Sequence, residues 1–385
     1  MSWTRSDNEV LATLQDAVAI DSVNPDLPSG TVGEKNLVAY LSDFFRDADI
    51  PFETYEVLPN RPNIVARLEG KHPHRALLFE AHLDTASVSV MTIDPFRPVI
   101  ADGKLYGRGA CDTKAGLVGM IHALRRWKQS GEQPNVNVLF CGAIDEEHLF
   151  RGALHLAENF TADGAVIAEP TELHIIRAHK GLARFRLIVH GRAAHSAKPH
   201  LGINAITKMA RVIRRIEEDI VPTLAQKDHS LTGGATLNIG VIHGGVQVNF
   251  VPDRCTIEVD RRVIPGETPD EAVQPFYTLL ERMKQEDAEL HVTLEPFLLD
   301  APMETPEDAD ICRVASEACR HVLGRAAFTG VPYGTDASKF TRAGIPAVVF
   351  GPGSIDQAHG AVEWVECEQV LQATEVYFEM IRRFE

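Results

Sequence analysis

Residues 135–169 decide the fold class, and they read NVNVLFCGAIDEEHLFRGALHLAENFTADGAVIAE. The apolar run NVNVLFCGA is followed by the helix-like segment RGALHLAEN and then by a second short apolar run, GAVIAE. Continuous apolar runs indicate strands that are buried on both faces, and a helix between two such strands is typical of a parallel sheet. This stretch therefore predicts an α/β fold with a mixed, largely parallel sheet flanked by helices.

The same alternation continues on both sides of this stretch. Helical apolar spacing occurs over residues 8–20, 32–48 and 114–127, and the strand-like segments NIVARLEG and ALLFEA lie between the second and third of these helices. After residue 306 the pattern returns, with a helix over 308–323, the strand AVVF and an amphipathic helix over 368–383. We expect residues 1–179 and 300–385 to form one discontinuous catalytic domain.

The pattern between these two parts is different. The segment RFRLIVHG alternates apolar and polar residues, as a half-exposed strand does, and a helix over 204–220 follows it. The strands ATLNIGVIHGG and RCTIEVDRRVI, a helix over 268–285 and the strand LHVTLEPF complete the segment. The order strand, helix, strand, strand, helix, strand is that of the ferredoxin-like split βαβ motif, which predicts an inserted α+β domain over residues 180–299.

Composition and charge narrow the classes of partner and location. The formal net charge is −16 over 385 residues, so the long-range field repels nucleic acid and anionic lipid, and we expect neither as a partner. The sequence has no apolar run of about 18 residues and its start lacks the layout of a secretory signal. Six cysteines occur without a CxxC pair, a usage that favours a reducing compartment, so a cytoplasmic protein is expected.

Acidic residues and histidines follow each of the predicted strands. Because ligands of an open α/β sheet bind beyond the carboxyl ends of its strands, we expect these side chains to converge. Carboxylates that converge repel one another unless cations neutralise them, and mixed imidazole and carboxylate ligation suits zinc, with manganese or cobalt as substitutes. The candidate residues are His82, Asp84, Asp112, Glu146, Glu147, Glu169 and His359.

Spacing assigns some of these residues to different tasks. His82 and Asp84 are two apart on an extended segment and share one side of it, so Asp84 can hold the imidazole. Adjacent Glu146 and Glu147 point apart, which leaves one as a ligand and the other as a base. Each motif alone has a simpler interpretation, as a surface HxD pair, a helix start or a tight glycine turn. Their common position at one rim of the sheet is what favours a metal site.

The segments AHLDT, DGKLYGRGACDTKAG, IDEEHLFRGAL, IAEPT, GRAAHSAKPHLGINAI, VNFVPDRCTIEVDRR, GTDASKF and GPGSIDQAHGAVEWV, in this order, resemble those of the M20 metallohydrolases over nearly the whole chain. The resemblance implies two zinc ions per chain. One ion would be bound by His82 and Glu169 and the other by Glu147 and His359, with Asp112 bridging them. Asp84 would orient His82, and Glu146 would be the general base.

The resemblance also implies a shared active site. A histidine that matches His195 would come from the partner subunit of a homodimer and stabilise the oxyanion, and the inserted domain would be the dimerisation or lid domain. The substrate carboxylate would contact Asn249 and Arg262, with Gly334, Thr335 and Gly353 on the other wall. Arg261 stands next to Arg262, and strand register alone leaves open which of the two faces the cleft.

The expected activity is deacylation of a small N-acyl amino acid, of the acetylornithine deacetylase or succinyl-diaminopimelate desuccinylase type. A dipeptidase or carboxypeptidase of the same family is the runner-up. A metal-free binding protein is disfavoured because no ligand is missing, and acyl transfer at a single zinc is disfavoured by the bridging Asp112. The chain departs from the family pattern at one position that bears on the substrate contacts. Val362 precedes Glu363, where deacetylases and desuccinylases of this group often carry Asn.

Overall fold

The chain divides into two compact units. The computed structural model describes residues 4–385, so the first three residues of the predicted catalytic domain lie outside the described range. The first unit comprises the chain up to Arg177 together with Thr305–Thr329 and Thr335–Glu385, and the second comprises Ala178–Glu304 with Gly330–Gly334. The short segment Gly330–Gly334, which the sequence assigns to the catalytic domain, thus groups with the second unit.

The secondary structure of the described residues follows the predicted alternation. The α-helices are α1 (Arg5–Ala19), α2 (Lys35–Asp47), α3 (Lys114–Ser130), α4 (Arg151–Asn159), α5 (Ala205–Arg215), α6 (Val221–Leu224), α7 (Pro269–Glu286), α8 (Asp310–Leu323), α9 (Ala337–Arg342) and α10 (Cys367–Arg383). The strands are β1 (Phe52–Leu58), β2 (Arg61–Leu68), β3 (His72–His82), β4 (Val99–Ala101), β5 (Lys104–Tyr106), β6 (Val136–Ala143), β7 (Gly164–Ile167), β8 (Ile175–His179), β9 (Gly181–His190), β10 (Ala194–His195), β11 (Thr236–Gly244), β12 (Phe250–Val251), β13 (Arg254–Val263), β14 (His291–Asp300), β15 (Met303–Glu304), β16 (Phe328–Val331), β17 (Ala347–Val349) and β18 (Trp364–Glu366).

The central sheet of the first unit has the order β1-β2-β6-β3-β7-β17-β8. Its middle strands β6, β3, β7 and β17 run parallel, whereas β1, β2 and β8 are antiparallel to their neighbours. The predicted mixed, largely parallel α/β sheet is therefore confirmed. Because the four middle strands run in one direction, the segments that follow them leave the sheet at the same edge.

Helices pack on this sheet in two groups. Helix α3 contacts β3, α1 and α10, and α10 contacts α8, whereas α4 contacts β6 and α9. Leu117, Val118 and Ile121 of α3 are completely buried in the main apolar core. The C-cap of α3 is Gly131 with φ 75°, a left-handed conformation that glycine adopts without steric cost.

The second unit contains a four-stranded antiparallel sheet of order β11-β13-β9-β14. With α5 and α7 packed against it, the unit has the predicted strand, helix, strand, strand, helix, strand order. Phe185 of β9 and Phe276 of α7 meet with ring centroids 4.8 Å apart in the core between sheet and helices. Alternation along β13 buries Arg261 and leaves Arg262 half-buried on the opposite face.

Several short or polar strands have no clear signal in the sequence. Strand β1 is a half-exposed strand at the end of the sheet with the mostly polar sequence FETYEVL, and β4, β5 and β18 are only three residues long each. Short or polar strands carry too few apolar positions to show a period. The helix predicted over 204–220 is α5 followed by a π-helical turn, Ile216–Ile220.

None of the helices within residues 4–385 has the length and apolar character that a membrane crossing needs. All of the cysteines are buried free thiols.

Candidate active site

The predicted acidic residues and histidines converge at the carboxyl edge of the central sheet. His82 is the last residue of β3, Glu146 and Glu147 follow β6, and Glu169 follows β7. His359 lies on the long loop after β17, and Asp112 lies just before α3. Parallel pairing of the four strands brings these segments together, although they are far apart in sequence.

The first ligand group contains His82, Asp112 and Glu169, all of which are buried. His82 Nε2 lies 3.0 Å from Asp112 Oδ1 and 4.0 Å from Glu169 Oε1. The backbone carbonyl of Asp84 accepts a hydrogen bond of 2.9 Å from His82 Nδ1. This bond orients the ring and leaves Nε2 to face the two carboxylates.

The second ligand group contains Asp112, Glu147 and His359. His359 Nε2 lies 3.0 Å from Glu147 Oε1 and 3.2 Å from Asp112 Oδ2. The ligand atoms of each group lie within 4.8 Å of one another. Asp112 thus presents one oxygen to each imidazole, and the two groups share this single carboxylate.

The charges of the site favour bound cations. Hydrogen bonds with Asp112 and Glu147 raise the pKa of His359 to about 11. Burial by itself would lower the pKa of His82, but the hydrogen bond to Asp112 and the charge of Glu169 raise it well above its ordinary value. Without a cation, the neighbouring carboxylates thus keep both imidazoles protonated and positively charged. Two imidazoles and three carboxylates, arranged as two groups that share the Asp112 carboxylate, fit a pair of divalent cations that would take the place of those protons.

Glu146 stands beside the ligand groups but belongs to neither of them. Burial raises the pKa of its carboxyl well above the ordinary value, and the charges of Asp336, Glu147 and Asp112 add to this effect while His82 opposes it. A carboxyl with a raised pKa that lies beside the two candidate ligand groups and belongs to neither of them is suited to proton transfer.

The carboxylate of Asp84 holds the turn that carries both glutamates. Its Oδ1 accepts the backbone N–H of Glu146 at 3.1 Å, and its Oδ2 accepts the N–H of Glu147 at 3.1 Å. The carboxylate lies 3.7 Å from His82 Nδ1, which is beyond a hydrogen bond. Asp84 therefore orients His82 through its backbone carbonyl and positions the two glutamates through its side chain.

A buried network that the sequence analysis did not find supports this turn. Asn24 Nδ2 donates to Asp84 at 2.7 Å and to Asp145 at 3.0 Å, so it joins the two carboxylates. Glu34 accepts the N–H of Asp145 at 3.2 Å and a bidentate pair of bonds from Arg61. Asp145 has φ 71°, a left-handed conformation that this network holds in place. Nothing in the local pattern around Asn24 marks it, because its partners lie 60 and 121 residues away.

A third group of ligand-type side chains, Asp26, Asp145 and His148, lies outside the site. Arg61 lies 3.1 Å from Asp145 and 3.2 Å from Asp26, and Arg151 contacts the same two carboxylates. Two guanidinium groups therefore already balance these acids. This cluster is an ion-pair network that braces the start of the Asp145–Glu147 turn.

Glycines allow the loop after β17 to approach the ligand segments closely. A Cβ at Gly351 would lie 2.6 Å from the backbone oxygen of Glu169, and a Cβ at Gly353 would lie 2.4 Å from Cys111 Sγ. Gly353 also has φ 86°, which side chains rarely adopt. The two glycines of the GPG segment are thus required for packing beside Glu169 and Cys111, in addition to any contact with substrate.

Sequence reasoning also missed two acidic residues beside the site. Glu80 is completely buried and lies two residues before His82, on the same side of β3. Burial raises the pKa of Glu80 well above its ordinary value, and the charge of buried Asp336 raises it further. An acidic residue inside the apolar run ALLFEA is the signal that could have identified Glu80, because acidic side chains are almost never fully buried unless they are paired.

The remaining predicted residues are distributed over both units. Thr335 is buried in the first unit, where its Oγ1 accepts the N–H of Ala337 at 3.2 Å, and Gly334 belongs to the second unit. His195 and Asn249 are exposed neighbours in the second unit, since the carbonyl of Asn249 accepts the N–H of Ser196 at 3.0 Å.

The two adjacent arginines of β13 differ in their partners. Arg261 is 1% exposed and donates to both carboxylate oxygens of Glu267, at 3.0 and 2.7 Å. Arg262 lies on the other face of the strand, where it pairs with Asp260 at 2.9 Å and stays accessible. Between the two, Arg262 is the guanidinium that a ligand could reach.

Imidazole and carboxylate groups at the rim of a parallel sheet are typical of metallohydrolases. Comparison with known families agrees with this class, because the model described as Peptidase family M20/M25/M40 matches residues 78–383. The chain belongs to this family, as its motifs predicted, and it is a hydrolase that acts on amide bonds.

Curated relatives match over nearly the full length. The acetylornithine deacetylase of Myxococcus xanthus is 32% identical, with 97% of this chain and 97% of that protein covered. A probable succinyl-diaminopimelate desuccinylase of Staphylococcus aureus is 27% identical, with 98% and 97% covered.

Solved structures share the fold. The aminopeptidase PepT of Bacillus cereus has a TM-score of 0.80 at 22% identity, and a tripeptidase of Staphylococcus aureus has a TM-score of 0.81 at 22% identity. Each comparison covers 98% of both chains. At these identities the likeness shows the fold alone.

Proposed function

We propose that this protein is a two-zinc deacylase that releases the acyl group from a small N-acyl amino acid. The observation that carries the proposal is the sharing of Asp112 between two ligand groups, with His82 and Glu169 on one side and Glu147 and His359 on the other. A carboxylate with one oxygen toward each group suits two cations in close proximity. Cobalt or manganese would fit the same ligands.

The chain's own residues account for the proton transfers. Two cations, when bound, supply the positive charge that polarises the amide carbonyl and lowers the pKa of water. Glu146, held by Asp84 through its backbone N–H, takes the proton from the attacking water. The same carboxyl then delivers this proton to the nitrogen of the leaving amine.

His195 is proposed as the oxyanion donor. Its Nδ1 accepts the backbone N–H of Ala197 at 3.1 Å, so the neutral ring carries its proton on Nε2. The Nε2–H group of such an imidazole can donate a hydrogen bond to a substrate oxygen on which negative charge develops.

The accessible donors of the second unit and the names of the relatives support the proposed substrate class. Arg262 presents a guanidinium that the packing of β13 leaves accessible, and guanidinium groups match carboxylates geometrically. We assign the substrate carboxylate to Arg262 and Asn249. The deacetylase and desuccinylase names of the relatives support an N-acetyl or N-succinyl amino acid as substrate.

A homodimer through the second unit is part of the proposal. Strand β11 forms one end of its sheet, and the segment that follows carries fully exposed apolar side chains, with Val246 at 96% and Val248 at 100% exposure. Ile242 and Phe250 are also exposed beside them. Apolar groups beside an edge strand favour association, and a second copy of the chain is the partner we propose. The unpaired cysteines support a cytoplasmic location.

A hydrolysis screen tests the proposed activity. The zinc-loaded protein is incubated with N-acetyl, N-succinyl and N-formyl amino acids and with a panel of dipeptides, and the released amine is measured. Preferential cleavage of one acyl amino acid is the expected result and identifies the substrate. Cleavage of dipeptides alone would contradict the deacylase assignment and move the protein to the peptidase branch of the family.

A further inference from the structure

Glu363 is a buried carboxylate that has no role in the reaction proposed above. It lies four residues after His359, is 0% exposed, and is followed directly by β18. Strand β18 pairs with β5, Trp364 opposite Tyr106, so the start of this short sheet places Glu363 beside the glycine-rich loop that leads to Asp112. A buried acid in this position requires several donors to remain stable.

The donors to Glu363 all come from the Asp112 loop. Its Oε1 accepts the backbone N–H groups of Cys111 at 2.9 Å and of Asp112 at 3.0 Å. Its Oε2 accepts the N–H of Gly109 at 3.1 Å and Nη1 of Arg108 at 2.6 Å. One carboxylate therefore accepts hydrogen bonds from three backbone N–H groups of this loop and from a guanidinium.

Arg108 extends the connection to the segment that follows β3. It is 1% exposed, and while its Nη1 binds Glu363, its Nη2 donates to the backbone carbonyl of Ser87 at 2.7 Å. Ser87 lies on the segment that begins with His82. The ion pair of Arg108 with Glu363 thus connects three segments of the chain. Each of these segments carries one of the proposed ligand residues His82, Asp112 and His359.

We infer that Glu363 is a positioning residue that sets the Asp112 carboxylate between the two imidazoles. A direct bond to the N–H of Asp112 fixes the backbone from which the shared carboxylate projects, and the short connection to His359 couples that ligand to the same anchor. Partners that orient ligands in this way commonly change metal affinity by about 10- to 100-fold when they are replaced. The inference rests on the two-metal function proposed above.

The group Asp112, Glu147, His359 should depend on Glu363 more than the group His82, Asp112, Glu169. Both groups share Asp112, but only the former includes His359, which stands on the same loop as Glu363. Loss of the anchor should therefore weaken one of two metal-binding steps more than the other. A residue with only a structural role would lower the stability of the protein without this selective effect.

Titration of chelator-stripped protein with Co²⁺ tests the inference, with bound metal measured by equilibrium dialysis and by the visible absorption of cobalt. The wild type should bind two ions, and Glu363→Gln should weaken the second binding step by about 10- to 100-fold with a smaller effect on the first. The matched control is Glu267→Gln, which breaks another buried arginine–glutamate pair, with Arg261 in the second unit. It should lower the unfolding temperature but leave both Co²⁺ steps unchanged.

Arg108→Lys decides the matter if Glu363→Gln does not fold. It keeps the three N–H bonds to Glu363 but removes the guanidinium fork that reaches Ser87, so a weaker loss of the second step, of about 10-fold, is expected. Unchanged affinity for both ions in whichever variant folds would overturn the inference. A wild type that binds only one ion would instead contradict the proposed two-metal function.

Discussion

The carboxylate of Asp84 accepts the backbone N–H of Glu146 at 3.1 Å, so the segment that follows β3 holds the proposed general base that follows β6. The two residues are 62 positions apart in sequence. Adjacent parallel strands bring them together, and the bond couples the position of the base to that of the histidine ligand two residues before Asp84. Substitutions that leave the ligands intact should therefore still reduce activity.

Asp84→Asn should lower kcat by about 10- to 100-fold. The amide keeps the shape of the side chain, but one of its two acceptor oxygens becomes an NH2 donor. That NH2 group would face the backbone N–H of Glu146 or of Glu147, so at least one of the two hydrogen bonds would be lost. Asp94→Asn is the matched control, because Asp94 also accepts a backbone N–H, from Phe96, but at the surface. Steady-state kinetics of both variants measure the effect, and an unchanged kcat for Asp84→Asn would show that the turn does not need this anchor.

Glu146→Gln should lower kcat by about 10²- to 10⁴-fold while both metals are retained. The amide cannot accept the proton from water, yet neither ligand group includes Glu146. Glu147→Gln should instead reduce the metal content, since Glu147 Oε1 faces His359. Kinetics and elemental analysis of the two variants separate the roles. Loss of metal in Glu146→Gln with retention in Glu147→Gln would mean that the two glutamates have exchanged roles.

Metal affinity should rise steeply with pH across the neutral range. Without a cation, hydrogen bonds to Asp112 and Glu147 raise the pKa of His359 to about 11, and the pKa of His82 is also raised. A cation must therefore displace these protons, and its affinity falls as pH falls, by about tenfold per pH unit for each proton released. The heat of zinc binding, measured between pH 6 and 8 in two buffers of different ionisation enthalpy, gives the number of protons released per ion bound. An affinity independent of pH would contradict this linkage.

His195→Ala should lower kcat by about 10²- to 10³-fold if the ring stabilises the oxyanion. Exposed His200, in the neighbouring 3₁₀ turn, supplies the control, and His200→Ala should leave kcat unchanged. Mixing His195→Ala chains with Glu146→Gln chains should restore part of the activity through hybrid dimers, because one of the two sites would then be complete. No restoration, in a sample shown by sedimentation to be dimeric, would argue against a shared site.

Gly353→Ala should destabilise the protein more than Gly103→Ala. Both glycines have positive φ, 86° and 77°, so each substitution carries a similar backbone cost of about 1 kcal/mol. A Cβ at Gly103 meets nothing within 4 Å, whereas a Cβ at Gly353 lies 2.4 Å from Cys111 Sγ, which should add about 1–3 kcal/mol. Urea unfolding of the two variants measures the difference. Cys111→Ala in the Gly353→Ala background should recover part of the loss, and equal stabilities of the two glycine variants would refute the packing argument.

Strong local periodicity made much of the fold predictable. The apolar runs of β3, β6 and β7 and the helical spacing of α3, α7 and α10 were correct in type and nearly correct in their ends, because strands buried on both faces and amphipathic helices leave a clear pattern. The polar strand β1 and the three-residue strands β4, β5 and β18 were missed, because they carry too few apolar positions to show a period.

Local sequence alone determined the positions of the ligand-type residues, since each stands at the end of a predicted strand or beside a glycine turn, and it determined the family through motifs such as AHLDT and GPGSIDQAH. Only the tertiary structure decided which groups meet: that Asp112 presents one oxygen to His82 and the other to His359, that Arg261 is consumed by Glu267, and that Glu363 anchors the Asp112 loop. The physical reason is that the contacts of Asp112 with His82, His359 and Glu363 join residues that are far apart in the chain, and the pairing of the strands decides which of them meet. Arg261 and Glu267 are close in sequence, but which face of β13 is buried depends on how that strand packs.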